Sequence, residues 1–241
     1  MRDSTLLNQF ALRLPANSAT QVGTSSPLIV LADLDEFQQL ALPSKSSELN
    51  DILDRAINFA LPSPSLSVEV SFLSLSAALE SALTFFRRQD EYEILDDDIF
   101  SGLARDLKKW LKLHPALAQE PAKRALVYEK FRELNRFPYS HVFRKFCEHY
   151  ALDLSDLWPV TGKHADWPLT EIRHRLVHGD PFPRRPVEAM ACAQAHLRWV
   201  VERMLLAVLG WPIERSNVSR DVLHRTSDEH RTWPAERAKF I

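Results

Sequence analysis

Four side chains that can carry positive charge lie close together in the stretch EIRHRLVHGD, residues 171–180: Arg173, His174, Arg175 and His178. Like charges on neighbouring helical positions repel, and each must be hydrated or paired. Histidine exchanges protons near neutral pH, and arginine presents a permanently charged fork that fits phosphate oxygens. The stretch is therefore either an ordinary solvated helix end or a site that meets negative charge.

The spacing Arg-x-x-x-x-His alone is a weak signal. With 21 arginines and 9 histidines in the chain, about one such pair is expected by chance. The spacing occurs four times, at Arg136/His141, Arg144/His149, Arg173/His178 and Arg225/His230. Only in the third pair does a hydrogen-bonding side chain follow the arginine, while two apolar residues precede the histidine and a glycine follows it. Context therefore selects Arg173 and His178.

Helix geometry restricts how these residues can converge. At about 100° per residue, His174 and His178 lie about 40° apart on one helix face, whereas Arg173 lies about 140° from His178. The arginine must reach around the helix, or the helix must end at His178. Gly179 favours the second solution, because glycine is common just after a helix.

The elements that position the motif are predicted to be helices. Apolar residues recur at steps of three and four in residues 72–86, which predicts a core helix. Asp96, Asp97 and Asp98 suit the start of the next helix. Further helices are predicted near 119–135, 139–150 and 187–209, and a short one carries the motif after a loop at 156–169. The apolar residues of the first two helices are Phe72, Leu75, Leu79, Ala82, Leu83 and Phe86, and then Ile99, Leu103, Leu107, Trp110 and Leu111.

The two ends of the chain are patterned differently. The run PLIVLADL, residues 27–34, predicts a short strand or packed extended arm. Residues 213–241 are charged and lack periodicity, which predicts a partly mobile tail. We therefore expect a mainly α protein with a short extended N-terminal segment at 1–65, a helical bundle at 66–212 and a C-terminal tail at 213–241.

Composition narrows the setting. The 30 basic residues nearly balance the 32 acidic ones, so anion binding must come from a local cluster. Cys147 and Cys192 both fall in apolar helical patterns, which favours a reduced, cytoplasmic protein. The first residues lack the continuous apolar run of a signal peptide, and WVVERMLLAVLGW is too short and too charged to span a bilayer. None of the familiar nucleotide-binding or hydrolase motifs is present. We expect no cofactor and no membrane partner.

The residues IRHRLVHG resemble the signature of HEPN domains, an Arg followed by Asn, Asp or His, three further residues and a His. The segment VSFLSLSAALESAL, residues 70–83, resembles the first bundle helix of ApeA-like HEPN proteins of bacterial antiphage defence, with Glu80 at the acidic position of its ALE triplet. The long final helix ending in LLAVLGWP is similar as well. The resemblance covers roughly 66–212. It departs in having His174 where Asn is commoner, and in an N-terminal region of only about 65 residues.

The resemblance implies a metal-independent endoribonuclease with an active site formed across a homodimer, acting in antiphage defence or as a toxin. It assigns catalysis to Arg173, His174 and His178, with RNA as the partner. Such chemistry is physically accessible, because the 2′-hydroxyl of RNA can attack its own phosphate. The attack needs one group to accept a proton, another to donate one and a cation to stabilise the phosphate.

Several alternatives compete with this interpretation. Arg173 could form a structural ion pair with Glu171, Asp180 or another carboxylate, and His178 could simply cap the helix. Arg175 is expected to face solvent, and Glu80 is left out of the site. A zinc pair at His174 and His178 is disfavoured by the intervening Arg175, whose charge opposes a cation.

At the level of function, the main rival is a HEPN module that dimerises or binds RNA without cleaving it. The sequence HGDPFP after the motif contains no tyrosine, which disfavours a partnership with a nucleotidyltransferase antitoxin. Another inhibitor or regulatory partner is left open.

Overall fold

The computed structural model describes residues 4–13, 27–41, 47–61, 66–87, 93–182 and 187–240. Within these ranges the chain forms twelve α-helices and no strand, which confirms a mainly α fold. The helices are α1 Ser4–Leu12, α2 Leu34–Ala41, α3 Ser47–Ala60, α4 Val68–Arg87, α5 Asp97–Leu113, α6 Pro115–Ala118, α7 Pro121–Leu134, α8 Tyr139–His149, α9 Leu169–His178, α10 Val187–Leu209, α11 Arg220–Thr226 and α12 Asp228–Ala238.

The contacts divide the chain into two compact units. The larger unit combines residues 1–86 with 144–241, and the smaller one is residues 87–143. The smaller unit therefore interrupts the predicted 66–212 bundle, whose boundaries stay a prediction. All candidate site residues belong to the larger unit.

Two long apolar helices, α4 and α10, supply much of the core of the larger unit. All six residues of the predicted α4 stripe are buried, which confirms that prediction. By length and composition α4 could cross a membrane, and 44% of its apolar window is buried inside the molecule. Helix α10 begins and ends where the sequence predicts, and fifteen of its residues are buried.

The C-terminal region corrects the expectation of a mobile tail. Residues 220–226 and 228–238 are helical, and α12 packs against α10. Phe240 is buried and stacks on Trp167, with ring centroids 5.1 Å apart. The sequence signal failed because α12 has a weak apolar stripe and relies on a few large contacts instead of a continuous face.

The segment predicted at 27–34 as a short strand or a packed extended arm forms no strand, although Leu28 and Ile29 are buried. Ile29 forms an isolated antiparallel bridge with Ser216, and the N–H of Asn217 donates to the Leu28 carbonyl at 3.0 Å. From Leu31 the chain turns into a short 3-10 helix and then into α2. A strand needs a neighbouring strand for its hydrogen bonds. Here the partners are the loop at 216–217 and the Ala11 carbonyl of α1, which accepts the N–H groups of Leu28 and Ile29 at 2.8 and 3.0 Å.

Candidate functional site

The candidate site lies at the C-terminal end of α9. The helix ends at His178, and Gly179 adopts a left-handed conformation with φ 71°. The N–H groups of Gly179 and Asp180 both donate to the Arg175 carbonyl, so glycine allows the chain to close the last turn. This confirms the prediction that the helix ends at His178.

A loop anchors the start of α9 to the core. The N–H of Leu169 donates to the Pro159 carbonyl at 2.9 Å, and the Trp158 indole donates to the Trp167 carbonyl at 2.8 Å. Leu169 and Ile172 are buried. The buried face fixes the helix, so the opposite face is held in solvent.

His174 and His178 lie on that outer face, and Arg173 lies to one side of it. His174 and His178 are exposed, with ring centroids 4.4 Å apart and the rings inclined at 50°. The Arg173 side chain is 43% exposed. The structure therefore brings the two histidines together and leaves all three side chains accessible to a ligand.

Glu80 of α4 adds a residue that the sequence-based site list leaves out. Its Oε1 lies 3.3 Å from an Arg173 guanidinium nitrogen, and its side chain is 51% exposed. Arg173 thus pairs across two helices, and the structural ion pair that the sequence left open is made with another carboxylate and not with Glu171 or Asp180. The ALE triplet was the available signal, but only the packing of α4 near α9 gives Glu80 a partner.

Arg175 does not face solvent as expected. Its side chain is only 21% exposed, and its Nε donates to Glu171 at 2.7 Å. The guanidinium also lies 4.5 Å from the Trp167 ring centroid and donates to the Pro181 carbonyl. The second oxygen of Glu171 contacts His164 at 2.5 Å. These contacts make Arg175 a structural residue that ties α9 to its flanking loops.

The other Arg-x-x-x-x-His pairs lie in different surroundings. His141 stacks on Phe137 with centroids 4.5 Å apart, and Arg144 pairs with Glu148 at 3.6 Å. His230 is buried and its Nε2 lies 2.9 Å from Asp156 Oδ2. His230 therefore belongs to the core, whereas the sequence placed it in an irregular tail.

A buried polar cluster surrounds Asp156. Its carboxylate accepts two hydrogen bonds from Arg203, at 2.7 and 2.8 Å, and contacts His230. Burial raises the pKa of Asp156, but the bonds from Arg203 and His230 outweigh burial and lower that pKa to about 2. The carboxylate therefore stays charged, and the cluster joins the loop after α8 to α10 and α12.

The spacing of His174 and His178 is also that of a zinc-binding pair. Among the described residues, no three His, Cys, Asp or Glu side chains are grouped so that they could hold a metal ion together. His174 and His178 thus have no third ligand of these types beside them in that part of the chain.

Comparison with models of protein families, with curated proteins and with solved structures gave no match. The chemistry of the site must therefore be argued from its own residues.

Proposed function

We propose that this protein is a HEPN-type, metal-independent endoribonuclease whose site contains Arg173, His174 and His178. The observation that carries the proposal is the exposed end of α9, where two histidine rings lie 4.4 Å apart and the same helix carries a partly exposed arginine. This arrangement supplies two proton-transfer groups and one permanent positive charge. The resemblance of the motif to HEPN domains supports the same activity.

In the proposed reaction, the 2′-oxygen of RNA attacks the adjacent phosphorus and the bond to the 5′-oxygen breaks. One histidine accepts the 2′-hydroxyl proton, and the other donates a proton to the leaving 5′-oxygen. Arg173 stabilises the negative charge that develops on the phosphate. The products are a 2′,3′-cyclic phosphate and a free 5′-hydroxyl, and no metal is needed.

Glu80 is proposed as a positioning residue. Its ion pair fixes the direction of the Arg173 guanidinium, which retains nitrogens that can meet a phosphate. Both side chains are about half exposed, so the pair contributes little to stability and its value lies in geometry.

We further propose a homodimer with a composite site, in a cytoplasmic protein of antiphage defence or toxin type. Val177, next to His178, is 52% exposed, and Val187 at the start of α10 is 68% exposed. These apolar residues could be covered by a second copy around a two-fold axis. Two motif sets would then meet at one RNA backbone.

The test is an assay of cleavage in excess EDTA, with mixed-sequence RNA, DNA and 2′-O-methyl RNA as three separate substrates. We expect cleavage of RNA alone, with 2′,3′-cyclic phosphate ends. His178→Ala and Arg173→Lys should each lose roughly 10²-fold or more, since each removes a group acting in the transition state. His149→Ala and His141→Ala serve as controls with the same motif spacing. Activity abolished by EDTA and restored by a divalent ion would contradict the mechanism.

A non-catalytic module is the second candidate, and the Arg173–Glu80 pair is the observation that favours it. A carboxylate at 3.3 Å partly neutralises the arginine that should bind phosphate. If the wild type binds RNA without cutting it and His178→Ala binds equally well, the module replaces the enzyme.

A further inference from the structure

Helix α5 of the smaller unit presents a bare apolar face. None of its residues is buried. Ile99, Leu103, Trp110 and Leu113 are 59%, 47%, 58% and 79% exposed. At about 100° per residue these four side chains fall within an arc of about 80°, which forms an apolar stripe with Asp106 near its middle.

The stripe is not the face that packs within its own unit. Helix α5 contacts α6 and α7, and Tyr128 of α7 donates its hydroxyl to the Lys108 carbonyl at 3.0 Å. Phe100, Leu107 and Leu111 are partly covered, and they point away from the stripe by about 100° on the helix. The sequence predicts one apolar stripe on α5, whereas the structure separates a packed side from an exposed one.

The charges of α5 are divided between its two ends. Residues 96–104 carry three aspartates and no basic residue, for a net charge of −3. Residues 105–113 carry four basic residues and one aspartate, for a net charge of +3. Two such helices repel at both ends when parallel, and attract at both ends when antiparallel.

We propose that α5 is a self-association surface that pairs antiparallel with α5 of a second copy of this chain. A two-fold axis near residue 106 sets Ile99 against Leu113 of the other copy and Leu103 close to Trp110. Asp106 lies near the axis, where its charge is offset by Lys109 at 3.0 Å. Each acidic end meets a basic end, and both apolar stripes are covered.

A second copy fits this face better than a lipid surface. Helices that lie on membranes usually carry basic residues along their whole polar face, whereas the first turns of α5 carry three aspartates that anionic lipid would repel. In an antiparallel pair the acidic end of each helix lies beside the basic end of the other, so both ends are compensated. The proposal does not depend on ribonuclease activity, because α5 lies in the other unit from Arg173 and His178. If both surfaces operate, dimers join into larger assemblies.

The first experiment is sedimentation equilibrium of the full chain over a range of micromolar concentrations. A single helix pair is smaller than a standard interface of about 1,600 Å², so association should depend on concentration. Trp110→Glu should weaken it at least tenfold, because a charge would be buried in the stripe. The control is Leu31→Glu, since Leu31 is apolar and 70% exposed in the larger unit. Equal association of wild type and Trp110→Glu overturns the proposal.

Charge reversal supplies a test that does not depend on the stability of α5. Each reversed variant carries one sign at both ends of α5, so it should lose the association that Trp110→Glu weakens, yet an equimolar mixture of the two should recover it. A destabilised helix could not produce this rescue, and its absence overturns the proposal. The variants are Asp96→Lys/Asp97→Lys/Asp98→Lys and Lys108→Glu/Lys109→Glu/Lys112→Glu.

Orientation is tested by cross-linking. Ile99→Cys mixed with Leu113→Cys should form a mixed disulfide, whereas Ile99→Cys alone should not cross-link to itself. Preferential self-cross-linking at 99 overturns the antiparallel arrangement. A further outcome would contradict self-pairing. If the wild type binds phospholipid vesicles without self-associating, and Trp110→Glu abolishes that binding, the partner of α5 is a membrane and not a second copy.

Discussion

Two histidines of this chain show how burial decides what one residue type can do. His178 lies exposed at the end of α9, free to meet a ligand. His196 is fully buried in α10, where its Nδ1 accepts the Trp158 N–H at 3.0 Å and its Nε2 contacts the Glu229 carbonyl at 3.1 Å. The first can take part in proton transfer, and the second holds three elements together.

The stability of the protein should fall as pH is lowered from 6.5 to about 4. Burial lowers the pKa of His196 to about 4, although the Glu229 carbonyl opposes that change. In this interval the unfolded chain binds a proton that the folded chain excludes, so acid favours unfolding by up to about 3 kcal/mol. The lowered pKa of Asp156 adds a further loss below 3.8.

Chemical unfolding at several pH values measures this effect. His196→Gln should flatten the dependence between pH 6.5 and 4, because glutamine does not titrate and its amide nitrogen can donate to the Glu229 carbonyl in place of Nε2. His224→Gln is the control, since His224 is exposed. An unchanged slope in His196→Gln would show that another group causes the acid sensitivity.

Removing the Asp156 carboxylate should be far more damaging than removing an exposed one. Asp156→Ala leaves Arg203, whose side chain is 2% exposed, as an uncompensated buried charge, which typically costs about 3–5 kcal/mol. Asp153→Ala, at an exposed position three residues away, should cost much less. Urea unfolding at pH 7 compares the two, and equal losses would contradict a buried ion pair.

Glu80 should affect the proposed cleavage without affecting folding. Glu80→Gln frees the Arg173 guanidinium to adopt other directions, so kcat should fall roughly tenfold while the melting temperature stays within one or two degrees of wild type. Glu80→Asp should restore part of the activity, because the charge is retained. Glu69→Gln, exposed on the same helix, is the control, and an equal loss in that variant would remove any special role for Glu80.

At the scale of elements, α9 is short and depends on its ends. The backbone N–H groups of its first turn donate to the carbonyls of Pro159 and Val160 in the preceding loop. Its last turn ends at Gly179, whose N–H donates to the Arg175 carbonyl. Glu171 also contacts both Arg175 and His164, which links the side of the helix to the preceding loop. A ten-residue helix is marginal by itself, so these contacts determine where His174 and His178 are held.

Substituting two glycines by alanine should produce effects of opposite sign. Gly179 has φ 71°, so Gly179→Ala strains the backbone and should cost about 1 kcal/mol. Gly102 lies inside α5, and an added Cβ would meet no atom within 4 Å. Gly102→Ala should therefore stabilise α5 by about 0.5–1 kcal/mol. Amide hydrogen exchange in each helix measures both, and a stabilising Gly179→Ala would contradict the left-handed cap.

At the scale of the whole molecule, the proposed active site and the proposed self-association surface lie in different units. The larger unit holds the proposed site on a core built from α4, α10 and the C-terminal helices. The smaller unit carries the α5 stripe. This division lets the proposed site and the proposed self-association surface be altered independently.

A composite site predicts complementation between inactive protomers. Arg173→Ala and His178→Ala should each be inactive alone, and their mixture should regain part of the activity, since half of the dimers are mixed and each mixed dimer keeps one Arg173 and one His178. RNA cleavage after mixing at micromolar concentration measures this. A mixture as inactive as its components, or a wild type that light scattering shows to be strictly monomeric, would contradict the composite site.

The sequence alone determined the features that depend on neighbours along the chain. The apolar periodicity of α4 and α10, the turn residues of the 156–169 loop and the glycine after His178 all act within a few residues, so they predict helix bounds and the end of α9. The buried stripe of α4 follows from the same local rules.

Only the tertiary structure decided which distant residues meet. Arg173 and Glu80 are far apart in sequence, and their pairing depends on how α4 and α9 pack. The same holds for three other features. Glu171 pairs with Arg175 and not with Arg173, a buried cluster forms around Asp156, and α12 packs on α10. Each requires side chains from separate elements to converge, and that geometry is set by the packing of the whole core, which no local pattern encodes.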